Sequence, residues 1–199
     1  MGKINAIAII AGCQYASLGL KAILKSFFQS QIDAYHSLHE IQDHNNEMLV
    51  IAVLNERNIN YSDILWMQRR TNANANMLVL CDGILQKILF SVFNIDCLYI
   101  PYSAPINEIR DAIIKLILEE GTGGRRRSNS KLTSNESRIL MMLAAGMSIK
   151  QVSEIRKSNI KTISSHKAKL FRKIGMPNTP KAVSLISLYI KSISISVKK

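Results

Sequence analysis

The first part of the chain alternates short apolar runs with longer amphipathic stretches. Runs of four to eight residues predict five buried strands, at Ile4–Ala11, Ile32–His36, Met48–Leu54, Met77–Leu80 and Cys97–Ile100. Apolar positions at helical spacing predict five helices, at Ala16–Phe28, Leu38–Asn45, Tyr61–Arg70, Ile84–Val92 and Ile106–Glu119. In the first helix these positions are Leu18, Ala22, Ile23 and Phe27. Alternating strands and helices form parallel sheets, so residues 1–120 are predicted to be a flavodoxin-like α/β domain with a five-stranded parallel sheet.

The last third of the chain predicts an all-α domain of four helices. Residues that cap or end helices mark its boundaries: Thr133 with Glu136, Gly146, Ser148, Asn159, Gly175 and Pro180. The third helix, Ile160–Ile174, is cationic and follows the second after a short turn. Two helices in this arrangement are typical of a helix-turn-helix.

The net charge changes sign near the boundary between the two predicted domains. The whole chain has 26 basic and 14 acidic residues and a net charge of +12. Residues 1–124 have a net charge of −3, and residues 125–199 a net charge of +15. Residues 121–131, rich in Gly, Arg and Ser, are predicted to be a linker, which leaves 132–199 as the basic helical domain. Such asymmetry indicates a module that binds a polyanion.

The third helix of this domain separates into two faces. Ile163, Leu170 and Ile174 are predicted to pack inward, with His166 or Lys167 filling the turn between them. The opposite face has small residues near its start and cations at both ends: Lys161, Ser164, Ser165, Ala168, Lys169 and Arg172. Small residues let a helix approach base edges, and marginal cations reach phosphates. The alternative is an ordinary solvated charged face, but the net charge and the helix pattern favour double-stranded DNA as the partner.

Residues 132–183 resemble the LuxR/FixJ-type DNA-binding domain. The matching residues are Leu132, Thr133, Glu136, Leu140, Ala144, Gly146, Ser148, Val152, Thr162, Ile163, His166, Lys173, Ile174, Gly175, Ala182 and Val183. The resemblance implies a four-helix domain whose third helix enters the major groove. It also implies DNA contacts from Lys161 through Lys169, including Thr162 on phosphate and, within that stretch, His166 and Lys167.

Two residues depart from the family pattern. Arg156 stands where the family usually has a buried Leu, which leaves the packing between the second and third helices open. Ser164 replaces a common Lys, as in the capsule-synthesis regulator branch, whose string Ile160–Ser165 this chain shares. The second departure implies an operator different from that of the commonest members.

The usual N-terminal partner in that family is a response-regulator receiver domain, and the five strand–helix units fit one. Phosphoryl transfer there needs acids after the first strand for Mg²⁺, an Asp nucleophile after the third, a hydroxyl after the fourth and a Lys after the fifth. The corresponding residues here are Gly12, Cys13, Val53, Cys81 and Pro101. A one-residue shift brings in Asp82, but not a whole site. The sequence therefore predicts a receiver-like domain with a vestigial, non-functional phosphorylation site.

Other chemistry finds little support in the sequence. Three cysteines are too few and too scattered for a disulfide framework or zinc site, although Cys13 and Cys81 follow strands at one sheet edge and a redox switch is a minor alternative. The histidines at 36, 39 and 44 lack metal-ligand spacing. Trp66 is either a core residue or a nucleotide-stacking residue. We expect no cofactor and no metal. With no apolar run long enough for a membrane span or a signal peptide, we expect a cytoplasmic location.

These observations predict a non-enzymatic transcription regulator that binds DNA independently of phosphorylation and dimerises through its receiver-like domain. The alternative is an auxiliary protein that forms a heterodimer with an intact relative and modulates its DNA binding. A third class is a ligand sensor that uses the vacated acidic pocket.

Overall fold

The five predicted strands form one parallel sheet. The computed structural model describes residues 4–29, 31–41, 48–55, 59–73, 76–118 and 132–195. The strands are β1 (Ala6–Ala11), β2 (Gln31–Tyr35), β3 (Met48–Val53), β4 (Met77–Leu80) and β5 (Leu98–Ile100). Their order is β2-β1-β3-β4-β5, which confirms the predicted flavodoxin-like fold. The predicted linker, residues 121–131, lies outside the described residues, so the domain boundaries stay predictions.

Three α-helices and a short 3-10 helix connect the strands, and a further α-helix follows the last strand. They are α1 (Gln14–Lys25), the 3-10 helix Leu38–Glu40, α2 (Tyr61–Asn72), α3 (Gly83–Ser91) and α4 (Ile106–Leu118). The second predicted helix, Leu38–Asn45, is therefore wrong in its described part, which is one 3-10 turn; residues 42–47 lie outside the described residues. In the described part only Leu38 and Ile41 are apolar, which is too few positions to hold an α-helix against the sheet.

The two faces of the sheet are covered by different helices. On one face, Leu20 and Leu24 of α1 and Ile109 and Ile113 of α4 belong to a single apolar cluster. Leu18 and Phe27, assigned from the sequence to the apolar positions of α1, are 57% and 50% exposed. The helix is apolar around most of its circumference, so its spacing alone did not identify the buried face.

The last four helices are α5 (Ser134–Ala144), α6 (Ile149–Ile155), α7 (Ile160–Ile174) and α8 (Pro180–Ile195). Their buried residues continue the apolar cluster on the other face of the sheet, which also contains residues of α2 and α3. The C-terminal domain therefore packs on the side of the sheet opposite to α1 and α4. None of the helices within the described residues combines the length and the hydrophobicity that a bilayer-spanning segment needs.

Candidate nucleic-acid interface

The helix-turn-helix begins with two helices held by reciprocal caps. The Thr133 hydroxyl accepts a hydrogen bond from the Glu136 amide, and the Glu136 carboxylate accepts one from the Thr133 amide. Ser148 and Gln151 form the same arrangement at the start of α6. Each pair satisfies backbone amides that the first turn leaves without partners. The sequence predicted the first of these boxes, and its geometry is confirmed.

The turn between α6 and α7 is tight and uses a left-handed residue. Lys157 has φ of 49°, and the next amide, of Ser158, donates to the Ser153 carbonyl at 2.9 Å. The Asn159 side chain then accepts from the Lys161 amide and caps α7. This turn fixes the residue at which α7 begins and the direction of α7 relative to α6.

One face of α7 anchors the helix in the domain core. Ile163, Leu170 and Ile174 are at most 2% exposed, as predicted, and Phe171 is 1% exposed. Sequence reasoning missed Phe171, although its i+4 spacing from Lys167 and i+8 spacing from Ile163 place it on the same face. The Lys167 ammonium lies 5.9 Å from the Phe171 ring centroid, so the stem of Lys167 covers the edge of the core.

The other face of α7 is open to solvent. Of the nine residues predicted to contact DNA, six are exposed: Lys161, Thr162, Ser165, Ala168, Lys169 and Arg172. Ser164, His166 and Lys167 are half-buried. The Nδ1 atom of His166 is buried and has no hydrogen-bond partner among the described residues. The helix has five cations and no carboxylate, so its exposed face presents positive charge and small side chains on one surface.

An ion pair holds the last turn of α7 against the start of α5. The Lys173 ammonium lies 2.6 Å from the Glu136 carboxylate, whose side chain is 7% exposed. Burial alone raises the pKa of Glu136, but the hydrogen bonds from Lys173 and Thr133 outweigh it and hold the pKa below its ordinary value. Lys173 therefore stabilises the fold of the domain, while Lys161, Lys169 and Arg172 have side chains exposed to solvent.

Arg156 occupies the position where the family pattern has a buried Leu. The structure makes it the C-cap of α6 and half-buried. Its guanidinium donates to the Asn135 side chain at 2.6 Å. The contact between α6 and α5 is therefore polar at this point, and Arg156 serves the contact with the first helix of the domain.

The five residues assigned from the sequence to a vestigial phosphorylation site lie together at the carboxyl edge of the sheet. Gly12 and Cys13 follow β1, Val53 ends β3, Cys81 follows β4, and Pro101 follows β5. Strand register places Val53 between Ala11 and Leu80. None of these five residues has a carboxylate, hydroxyl or amine side chain, and the non-functional phosphorylation site stays a prediction.

Asp82 is the one carboxylate among the described residues that directly follow the strands. Its Oδ1 atom accepts hydrogen bonds from the Ile84 and Leu85 amides at 2.7 Å and caps α3. Its Oδ2 atom lies 3.5 Å from the Tyr102 hydroxyl. Within the described part of the chain, no cluster of three His, Cys, Asp or Glu residues is placed to hold a metal ion.

The weaker candidates take structural roles in the described residues. Trp66 is 6% exposed, with the Arg70 guanidinium 5.4 Å from its ring centroid, so it is a core residue. Burial and the neighbouring Asp82 carboxylate raise the pKa of the Cys81 thiol to about 12, which disfavours the thiolate that redox chemistry needs. Cys13 is exposed at the start of α1. His36 is exposed, and the His39 side chain and His44 lie outside the described part.

Comparison with known proteins connects this geometry to a family. Residues 130–186 match the bacterial regulatory proteins of the luxR family. Comparison with curated protein sequences finds no significant relative.

Solved structures of the response regulator RcsB match nearly the whole chain. RcsB from Salmonella enterica serovar Typhimurium bound to promoter P1flhDC is 16% identical with a TM-score of 0.60, over 96% of this chain and 100% of that one. The same protein bound to promoter rprA is 15% identical with a TM-score of 0.58, over 95% and 99%. An RcsB–DNA complex is 18% identical with a TM-score of 0.56, over 95% and 98%.

Identities this low establish a shared fold, which is a receiver-like domain followed by a helical domain. The family match covers the capped helices and the turn described above, including the whole of α7. Residues 130–186 therefore belong to the luxR family of bacterial regulatory proteins, and they follow a domain with the response-regulator receiver fold.

Proposed function

We propose that this chain is a non-enzymatic, cytoplasmic transcription regulator that binds double-stranded DNA through α7 and acts without phosphorylation. The observation that carries the proposal is the exposed face of α7, where Lys161, Lys169 and Arg172 flank Ser165 and Ala168. Cations at the margins of such a face reach phosphates, and small central residues let the backbone approach base edges. Ser164, His166 and Lys167 lie beside this face and complete the proposed contact set, with Thr162 on phosphate.

Independence from phosphorylation is supported by the sheet edge. Receiver-type phosphoryl transfer needs an Asp nucleophile and acidic ligands for Mg²⁺. Val53 stands in place of the nucleophile, and Gly12 and Cys13 stand in place of the acids. Asp82 is already engaged as the cap of α3. Domains 1–120 and 132–199, with a linker at 121–131, remain the proposed organisation.

Dimerisation through the receiver-like domain is supported by an apolar stripe on α1. Tyr15, Leu18, Gly19 and Ala22 recur at i, i+3, i+4 and i+7 and are all exposed. Tyr15 is 85% exposed and Leu18 is 57% exposed. Helix-turn-helix proteins read two half-sites as dimers, so the stripe is proposed as part of a homodimer contact. A heterodimer with an intact relative is the second candidate, because the same stripe also suits a related receiver domain.

Two measurements test these proposals. Selection from a randomised duplex library with the full chain, followed by fluorescence anisotropy, is expected to yield an enriched operator bound more tightly than a scrambled duplex. Sedimentation of the wild-type chain and of Leu18→Lys is expected to show a dimer that the substitution weakens. A wild-type chain that stays monomeric and binds only when mixed with an intact family member supports the heterodimer instead.

A further inference from the structure

The receiver-like and helical domains meet at α3 and the far end of α7. The Lys87 ammonium donates to the Gly175 carbonyl at 2.9 Å. The Leu132 amide, just before α5, donates to the Ser91 carbonyl at 3.3 Å. Lys87 and Ser91 lie one turn apart on α3, so one side of this helix contacts both the start of the helical domain and the end of its third helix.

Apolar packing accompanies these two hydrogen bonds. Leu85, Ile88 and Leu89 of α3 belong to the same continuous cluster as Phe171 and Ile174 of α7. A cluster that spans both domains favours the same relative orientation as the two hydrogen bonds.

The Lys87 contact also suits the end of the helix electrostatically. Gly175 has φ of 69° and is the left-handed C-cap of α7, where carbonyl groups lack intrahelical partners. A cation at a helix C-terminus is favourable because the helix dipole places partial negative charge there. The aliphatic stem of Lys87 also lies against the end of α7. A Cβ atom added to Gly175 would be 3.8 Å from Lys87 Cε, which is ordinary van der Waals contact.

The docking of α3 on α7 leaves six of the nine predicted DNA-contact residues exposed. Lys161 lies fourteen residues before Gly175, which is roughly 21 Å along an α-helix. In the docked arrangement Lys161, Ser165 and Lys169 are all exposed. We infer that Lys87 is a positioning residue: α3 holds the C-terminal end of α7 so that the docked chain is the DNA-binding form, and no release of the domains is needed. This inference rests on the proposed DNA binding.

The change in operator affinity caused by one substitution tests the inference. Lys87→Met is expected to weaken binding of the selected operator about threefold to tenfold, the effect of removing one charge-assisted hydrogen bond. The slope of log affinity against log salt stays unchanged, whereas removal of a lysine that binds phosphate would reduce it by about 0.9. Lys87→Arg restores the affinity. Lys115→Met, at an exposed lysine of α4 on the opposite side of the sheet, removes the same charge away from both α3 and the α1 stripe and is the matched control, with less than about a twofold effect. Unchanged or tighter binding by Lys87→Met, or a flatter salt slope, overturns the inference.

A cross-link tests the docked form directly. In a Cys13→Ser background, Ser91→Cys with Leu132→Cys places two thiols on residues that a backbone hydrogen bond of 3.3 Å already joins. The oxidised chain is expected to bind the operator within about twofold of its reduced form, since a tenfold change corresponds to 1.4 kcal/mol. A disulfide that does not form, or one that abolishes binding while the reduced chain binds, overturns the inference. A wild-type chain that enriches no duplex overturns the proposed function and this inference with it.

Discussion

Lys173 and Glu136 join the last turn of α7 to the first turn of α5 through a 2.6 Å ion pair. The pair fixes α7 to the helix that opens the domain. Thr133 donates to the same carboxylate, at 2.8 Å from its amide and 3.1 Å from its hydroxyl. Glu136 is therefore a shared acceptor for the α5 cap and the α7 cation.

This arrangement predicts acid sensitivity. The pKa of Glu136 is lowered in the folded chain, so its contribution to stability is present above the unfolded pKa of about 4.3 and is lost as pH falls through the folded pKa. Glu136→Gln is expected to lower the free energy of unfolding by about 1.5–3 kcal/mol at neutral pH and to flatten its dependence on pH below about 5. Urea denaturation across this pH range measures both effects.

The control is Glu154→Gln on the exposed surface of α6, which is expected to change neither quantity by more than about 0.5 kcal/mol. Equal acid sensitivity in wild type and Glu136→Gln would show that other carboxylates dominate the pH dependence.

Salt dependence separates the roles of the lysines and serines on α7. Lys161→Ala or Lys169→Ala is expected to weaken operator and scrambled duplexes alike, and to reduce the salt slope by about 0.9 for each phosphate that is no longer neutralised. Ser164→Ala or Ser165→Ala should leave scrambled-duplex binding intact and reduce operator preference by less than about 1–3 kcal/mol. Anisotropy titrations at two salt concentrations measure this.

Two outcomes would contradict that placement of the helix. One is a loss of operator binding alone in the lysine variants, and the other is an equal loss of both duplexes in the serine variants. If alanine is neutral at Ser164 while Ser164→Leu is harmful, the serine serves as clearance for the backbone.

Phosphoryl transfer is expected to be absent. Incubation with acetyl phosphate and Mg²⁺ should leave the intact mass of the chain unchanged, because Val53 and Cys81 replace the nucleophile and the hydroxyl. Mass spectrometry under neutral conditions detects an acyl phosphate before it hydrolyses. A phosphoryl adduct mapped within residues 1–120 would contradict the proposed independence from phosphorylation.

The same glycine substitution is expected to have opposite effects at two positions. Gly175→Ala places a side chain at φ of 69° and should destabilise the chain by about 1–2 kcal/mol. Gly19 lies inside α1, where an added Cβ atom would have no neighbouring atom within 4 Å, so Gly19→Ala should stabilise the chain by about 0.5–1 kcal/mol. Thermal unfolding compares the two variants, and effects of the same sign would contradict the assigned helix end.

Local signals in the sequence were enough for most of the fold. Strand Met77–Leu80 and helix Ile160–Ile174 have the predicted bounds, because buried runs and caps act over a few residues. The buried face of α1 was assigned wrongly, since Leu18, Leu20 and Leu24 are equally apolar and only the sheet selects among them.

Contacts between residues far apart in the chain could not be predicted from the sequence. Lys87 and Gly175 are 88 positions apart. Nothing in the sequence around an exposed lysine indicates which backbone carbonyl it will contact. The capping role of Glu136 was predictable from Thr133 three residues earlier, but its pairing with Lys173 depends on how α5 and α7 cross.

The cap formed by Asp82 ties the carboxyl edge of the sheet to the start of α3. A working phosphorylation site would need acids at Gly12 and Cys13, a nucleophile at Val53, a hydroxyl at Cys81 and an amine at Pro101. No single one of these substitutions confers reactivity. If the Asp82 carboxylate took part in such chemistry, the Ile84 and Leu85 amides would lose their hydrogen-bond acceptor at the start of α3, the helix that meets the helical domain. A substitution that frees the Asp82 carboxylate for chemistry at this edge would therefore also disturb the helix on which the helical domain rests.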